Sequence, residues 1–205
     1  MIDAISALKQ LQQGNQRFVS GNRKDDAMLE HNDLTSGQEP FAIILGCSDS
    51  RVPAEIVFDQ GLGDLFVIRV AGNIVAPSQV GSVEFAAAQF KTRLVVVLGH
   101  SLCGAISATI DDMKNPNDKK SLNIKAIVDR IQPSIEPFRT TEVWNDRDTL
   151  IHESMRANVR ASVNQLRHGS AILEELIQNE GLLVVGAEYS LKTGEVIFFD
   201  HLPEE

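Results

Sequence analysis

Two cysteines, Cys47 and Cys103, are all that this chain of 205 residues carries. That is too few to staple a domain of this size, and it leaves metal binding, catalysis or plain burial as the uses of a thiol. Positive charge is also scarce. Lys and Arg number 19 against 28 Asp and Glu, a formal net charge of -9, which argues against broad electrostatic attraction to nucleic acid or to an anionic membrane face. No apolar run approaches the ~18 residues of a membrane helix. The first 21 residues interleave apolar positions with Lys9, Gln10, Gln12, Gln13 and Arg17 instead of forming the apolar stretch of a secretory signal. The expected address is therefore cytoplasmic and the expected partners are small molecules, with no nucleic acid and no membrane. Internal repeats and low-complexity tracts are missing, and the length suits one domain over residues 1–205.

What is present reads as α/β. Ile2, Ile5, Leu8 and Leu11 recur at helical spacing, with Phe18 closing the pattern before Gly21, so residues 1–21 form an amphipathic arm whose apolar stripe needs a surface to cover. Phe41 to Leu45 and the Val-rich Leu94 to Leu98 each end in glycine and suit buried strands of a parallel sheet; residues 64–70 supply a third. Gln79 to Lys91, with Val80, Val83, Phe85, Ala86, Ala87 and Phe90, fits a crossover helix. Asp111 to Ser121 reads as a polar surface loop, followed by helices over Leu122 to Ile135 and Thr149 to Gln178. Leu182 to Ala187 and Glu195 to Phe199 close the chain as a hairpin turning at Lys192 to Gly194. The expected architecture is a central, mostly parallel sheet flanked by helices, with an N-terminal helical arm and a C-terminal strand hairpin.

Cys47, Ser48, Asp49, Ser50 and Arg51 directly follow one strand, and Gly99, His100, Ser101, Leu102, Cys103 and Gly104 end another. Ligands of open α/β sheets gather at the carboxyl ends of strands, so the two segments are expected at one edge. Two thiolates and an imidazole suit zinc and leave a fourth position for water or a movable carboxylate. Gly99 and Gly104 would let the backbone bend beside the metal. Each residue also has a plainer use. A lone cysteine after a strand is usually a small buried hydrophobe, a lone histidine there a satisfied polar group, and Asp49 with Arg51 a capping loop carrying a surface ion pair. A Cys47–Cys103 disulfide is the reading for an exported protein.

The pair of motifs Cys-Ser-Asp-Ser-Arg and, some fifty residues on, Gly-His-Ser-x-Cys-Gly resembles the β-class carbonic anhydrases. The resemblance extends to the N-terminal helix, the segment from Gly63 to Val67, Arg69 to Asn73 and the terminal hairpin. It implies Cys47, His100 and Cys103 as the zinc ligands, and Asp49 and Arg51 as a catalytic pair in which Arg51 holds Asp49 away from the metal; with the pair broken, Asp49 becomes the fourth ligand and the enzyme is closed. It implies Gln38, nine residues before Cys47, as a hydrogen-bond donor to substrate, with Phe66, Phe85 (often Tyr in the family) and Gly104 lining the substrate site. The implied substrates are carbon dioxide and bicarbonate, and the implied assembly is a homodimer or homotetramer built partly on the N-terminal arm. One subset of the family has a second bicarbonate site using a Trp, an Arg and a Tyr; here Ile44 stands at the Trp position, although Arg69 matches the Arg and Tyr189 is the candidate Tyr, and Gln38 and Ile44 together point to the other, plant-type subset.

The chemistry is consistent with the residues. Zinc lowers the pKa of bound water from about 15.7 to about 7, supplying hydroxide near neutrality. An apolar pocket with one amide suits both carbon dioxide and the charge developing on bicarbonate. His31, His152, His168 and His201 carry no spacing that identifies a proton shuttle. The competing readings are a carbonyl sulfide or carbon disulfide hydrolase on the same zinc set, and a non-catalytic zinc-stabilised module. Asp49 and Arg51 argue against the module, since a purely structural site is closed by four permanent ligands.

Overall fold

A computed structural model describes residues 2–24, 35, 37–116 and 121–202. His31 lies outside the described residues. The chain runs α1 (Ala4–Ser20), β1 (Ala42–Gly46), α2 (Ala54–Val57), β2 (Leu65–Arg69), α3 (Pro77–Gln89), β3 (Leu94–His100), α4 (Gly104–Lys114), α5 (Leu122–Ile135), α6 (Arg147–His168), α7 (Ala171–Asn179), β4 (Leu183–Tyr189) and β5 (Val196–Asp200). The strands form one sheet in the order β2-β1-β3-β4-β5. The first three pairings are parallel and β5 runs antiparallel to β4, so the expected architecture holds, terminal hairpin included.

β1 and β3 are buried along their whole length because both faces of the sheet are covered. Strand side chains alternate between faces, and the core divides accordingly. Ile43, Leu45, Val95 and Val97 pack against α3 to α7, while Ala42, Ile44, Leu94, Val96 and Leu98 pack against α1 and α2. A continuous apolar run was thus the correct signal for a doubly covered strand.

In α1 the inward stripe differs from the one expected. Ala4, Ala7, Leu8, Leu11, Gly14 and Asn15 face inward, whereas Ile2 and Ile5 are 38% and 40% exposed. The small residues are inside because α1 lies close to backbone, and a larger side chain would hold it off. Asp3 caps the helix by accepting from the Ser6 amide at 2.9 Å. Buried Asn15 donates to the carbonyls of Val57 (3.1 Å) and Gly194 (2.9 Å) and accepts from the Val196 amide (2.8 Å), tying the arm to both α2 and the terminal hairpin.

Two boundaries depart from the sequence reading. The loop expected from Asp111 begins only after Lys114, since α4 continues through Asp111–Lys114; polar residues there are the outer face of a helix. The single helix expected over Thr149 to Gln178 is two, broken at Gly169 and Ser170. Ser170 caps α7, its Oγ accepting from the Leu173 amide (3.2 Å) and donating to Glu84 on α3 (2.6 Å). Ser170→Ala removes the cap and strips Glu84 of its donor, and is expected to lower the unfolding free energy by about 1–2 kcal/mol; a urea midpoint indistinguishable from the parent's would contradict this.

Candidate metal centre

Parallel pairing puts Gly46 beside Leu98, so the residues that follow β1 and those that end β3 emerge at the same edge of the sheet. Cys47, His100 and Cys103 converge there, their Sγ and ring nitrogen atoms all within 4.8 Å of one another. All three are buried. The sulfurs are 4.0 Å apart and both cysteines are free, about twice the length of a disulfide bond, so the disulfide reading gives way to a paired-thiol site.

Hydrogen bonding around the donors prepares them for a cation. His100 Nδ1 lies 2.9 Å from the Ser101 carbonyl, which only accepts, so the proton sits on Nδ1 and the Nε2 lone pair is free. Nε2 is buried without a hydrogen-bond partner. An orphaned acceptor of this kind costs free energy unless something electrophilic meets it, and a zinc ion between it and two thiolates fits that need. Cys47 Sγ accepts from the Gly72 amide at 3.3 Å. Its interaction with Cys103, aided by His100 and the amides of Gly72 and Asp49 and opposed by burial, draws the thiol down to about 4. Cys103 is pushed up by its bond to Cys47 and by burial, against the amides of Ile106 and Ala105 at the start of α4. A dication bound between them would favour the thiolate form of both.

The turn between His100 and Cys103 corrects one expectation. The bend falls on Leu102, at φ 57° and largely exposed, and not on the flanking glycines. A Cβ on Gly99 would stand 2.6 Å from both Met155 Sδ and a Val159 methyl, so Gly99 admits α6 to the sheet. Gly104 is exposed at the first position of α4 with open space around a notional Cβ. The turn is pinned by the Ser101 amide on the Tyr189 carbonyl (3.0 Å) and the Leu191 amide on Ser101 Oγ (2.9 Å).

Asp49 stands beside this cluster without joining it. Its Oδ1 accepts from the Arg51 amide (3.0 Å) and Nε (2.9 Å), its Oδ2 from an Arg51 terminal nitrogen (2.8 Å). Oδ2 is 3.9 Å from His100 Nε2. Chiefly through the Arg51 side chain, the carboxyl is held well below its ordinary value of 3.8, so it stays ionised throughout the neutral range and loses its charge only in strong acid.

The other expected substrate residues lie elsewhere within the single chain. Phe66 pairs in register with Ile43, four residues short of Cys47, a separation of roughly 13 Å along the strand. Phe85 and Phe90 pack on it, with ring centroids 6.2 and 6.0 Å away. Gln38 precedes β1 at the opposite end of the sheet and lines a cavity with Ile2, Gln10, Phe41, Gln89 and Phe90. Ile44 is buried beneath α1 and α2, and Tyr189 is buried with its hydroxyl pKa raised by desolvation. His152 contacts Glu188 and Glu153 at 3.2 Å, and His201 contacts Asp200 at 3.1 Å. Sequence reasoning missed the supports beneath the site: the Gly72 amide, the Asn158 side chain donating to the Gly72 carbonyl at 2.8 Å, and the use of Arg69, named there only as a match to an anion-site Arg, on the backbone of this turn. Their effect depends on which strand lies beside β1, which no local pattern states.

A family model described as carbonic anhydrase matches residues 42–196. Carbonic anhydrase 2 of Mycobacterium tuberculosis is 37% identical over 202 residues, covering 97% of this chain and 94% of its own. The carbonic anhydrase of Mycolicibacterium smegmatis is 36% identical over 200 residues with the same coverages. Among solved structures, the β-carbonic anhydrase CafA of Aspergillus fumigatus superposes with a TM-score of 0.75 at 24% identity, over 98% of this chain and 93% of that one. One of two tetrameric β-carbonic anhydrases from Sordaria macrospora gives 0.70 at 24% identity, over 81% and 83%.

Proposed function

This chain belongs to the β-carbonic anhydrase family and is a carbonic anhydrase, and on that footing we propose that it converts carbon dioxide and water reversibly to bicarbonate and a proton, with zinc held by Cys47, His100 and Cys103. The observation that carries this is the buried Cys-His-Cys triangle with His100 Nε2 left without a partner. Zinc bound there supplies hydroxide at neutral pH by lowering the pKa of a water molecule.

The residues of the chain account for the rest. Two thiolates and a neutral imidazole balance the charge of a divalent ion, while the Gly72 amide fixes the Cys47 sulfur. Arg51 keeps Asp49 charged and turned aside from the three donors. From there Asp49 Oδ2 would accept a hydrogen bond from the attacking water and orient it towards the carbon of substrate. Should the pair with Arg51 open, the same carboxylate is free to take the fourth position and close the site. A permanently closed structural zinc site has no use for such a pair.

Gln38, Phe66 and Phe85 line the substrate site only if a second copy of the chain brings them there, since within one chain they stand far from the donors. A homodimer or homotetramer fits this, and so do the outward-facing Ile2, Ile5 and Phe85; a Sordaria macrospora relative in fold is tetrameric. Free thiols used as metal donors fit a reducing, cytoplasmic setting. Among the described residues no helix is long and apolar enough to cross a membrane.

Stopped-flow hydration of carbon dioxide between roughly pH 6 and 9, on protein of measured zinc content, tests the proposal. Activity proportional to zinc supports it; full zinc occupancy with no hydration at any pH overturns it. Asp49→Asn is expected to retain zinc and to lose roughly 100-fold in kcat/KM.

A further inference from the structure

Arg69, at the end of β2, is exposed, yet two of its nitrogens are committed to backbone. Its Nε donates to the Cys47 carbonyl at 3.0 Å and a terminal nitrogen donates to the Asp49 carbonyl at 2.5 Å. The register of β1 with β2 sets Arg69 beside Gly46, the residue before the metal ligand, so the guanidinium reaches across the whole turn that follows. Arginine is suited to this because its planar fork serves two acceptors at once, which a lysine ammonium does with less directional control.

The turn from Asp49 to Val52 is anchored at its far end by Val52, buried in the core with α1 and α2, and its own hydrogen bonds are local. The Val52 amide donates to the Asp49 carbonyl (3.0 Å), and Asp49 Oδ1 accepts from the Arg51 amide (3.0 Å). These bonds shape the turn but do not orient it against the sheet. From β2 and its extension, the Gly72 amide grips the Cys47 sulfur, and Arg69 alone among these contacts extends to Asp49. Arg69 is exposed and lies outside both apolar clusters, so its removal leaves the packing of the core intact.

We propose that Arg69 is a positioning residue that locks the Cys47–Asp49 turn against β2 and thereby keeps the Asp49 carboxylate on Arg51 and off the metal. The inference rests on the zinc site proposed above.

The test compares the parent with Arg69→Met, Arg69→Lys and the double variant Arg69→Met with Asp49→Ala, each loaded with zinc for kinetics and with cobalt(II) for visible spectra. Arg69→Met is expected to bind metal normally and unfold near the parent's temperature. Its kcat/KM is expected to fall roughly tenfold or more, because molecules with Asp49 on the metal drop out of the competent population. Arg69→Lys, which keeps one donor, should recover part of that loss. The cobalt spectrum of Arg69→Met should change towards carboxylate ligation, and the change should vanish in the double variant. An unchanged spectrum in Arg69→Met, or a change that persists without Asp49, overturns the proposal. The cobalt comparison reads ligation directly, so it separates failure of this inference from a parent that binds metal but does not hydrate carbon dioxide.

Discussion

Cys47→Ser is expected to leave a folded chain that retains less than about a tenth of the parent's zinc and hydrates carbon dioxide at least about 1,000-fold more slowly. The sulfur it removes is one corner of a triangle only 4.8 Å across, and a serine hydroxyl does not ionise near neutrality to replace it. The remaining pair, His100 and Cys103, offers two donors where zinc takes three or four. The fold should survive because the strands behind the donors are held by apolar packing on both faces, and oxygen for sulfur is a small change in volume. For the same reason, chelation of the parent should abolish hydration while leaving its far-ultraviolet circular dichroism intact, which a zinc-stabilised module would not do. Metal analysis and stopped-flow rates on one preparation decide the matter; a Cys47→Ser protein with full zinc and full activity would remove Cys47 from the site.

Gly14→Ala should produce the largest loss of stability of any single methyl group added to α1. On an exposed helix this exchange is favourable by about 1 kcal/mol. Here the new Cβ would lie 1.8 Å from the Phe58 carbonyl oxygen and 2.8 Å from its carbon, both backbone atoms, as well as 2.7 Å from Gln60 Nε2. A side-chain tip could turn aside, but the Phe58 carbonyl is anchored in the segment that α2 begins. The helix must therefore retreat. Asn15, the next residue, then loses its grip on Val57, Gly194 and Val196, which leaves the buried Val57 carbonyl and two partly buried groups of the terminal hairpin short of partners. Overpacking and unsatisfied polar groups together are expected to cost roughly 3–5 kcal/mol, read as a fall in the urea midpoint. The sign separates the two cases: a midpoint equal to or above the parent's would mean that α1 does not pack as closely as described.

How much of this was legible in the chain depended on the range of the interaction. The Val-rich run at Leu94 and the glycine-terminated run at Phe41 announced buried strands because burial on both faces leaves no polar positions. Helix α5 was legible to its ends, Leu122 and Ile135. The break at Ser170 was not, because Gly169 and Ser170 interrupt a helical pattern that resumes in nearly the same phase, and the decisive partner, Glu84, is distant in sequence. The inward face of α1 was misjudged for a related reason. Ile2 and Ile5 are more apolar than Ala7 or Gly14, yet what α1 meets is the Phe58 backbone, and closeness there outweighs hydropathy.

The sequence by itself determined the α/β class, the strand ends that carry Cys47, His100 and Cys103, and the pairing of Asp49 with Arg51. These follow from alternation, from helical period and from short spacings within one turn, all of them local. Only the tertiary structure decided what surrounds the donors: the Gly72 amide on the Cys47 sulfur, the Ser101 carbonyl that sets the His100 tautomer, Arg69 across the Asp49 turn, and the distance of Gln38 and Phe66 from the triangle. The Gly72 and Arg69 contacts and the placing of Phe66 depend on the register of β2 beside β1, and register is settled by the packing of whole faces rather than by the residues that end up in contact.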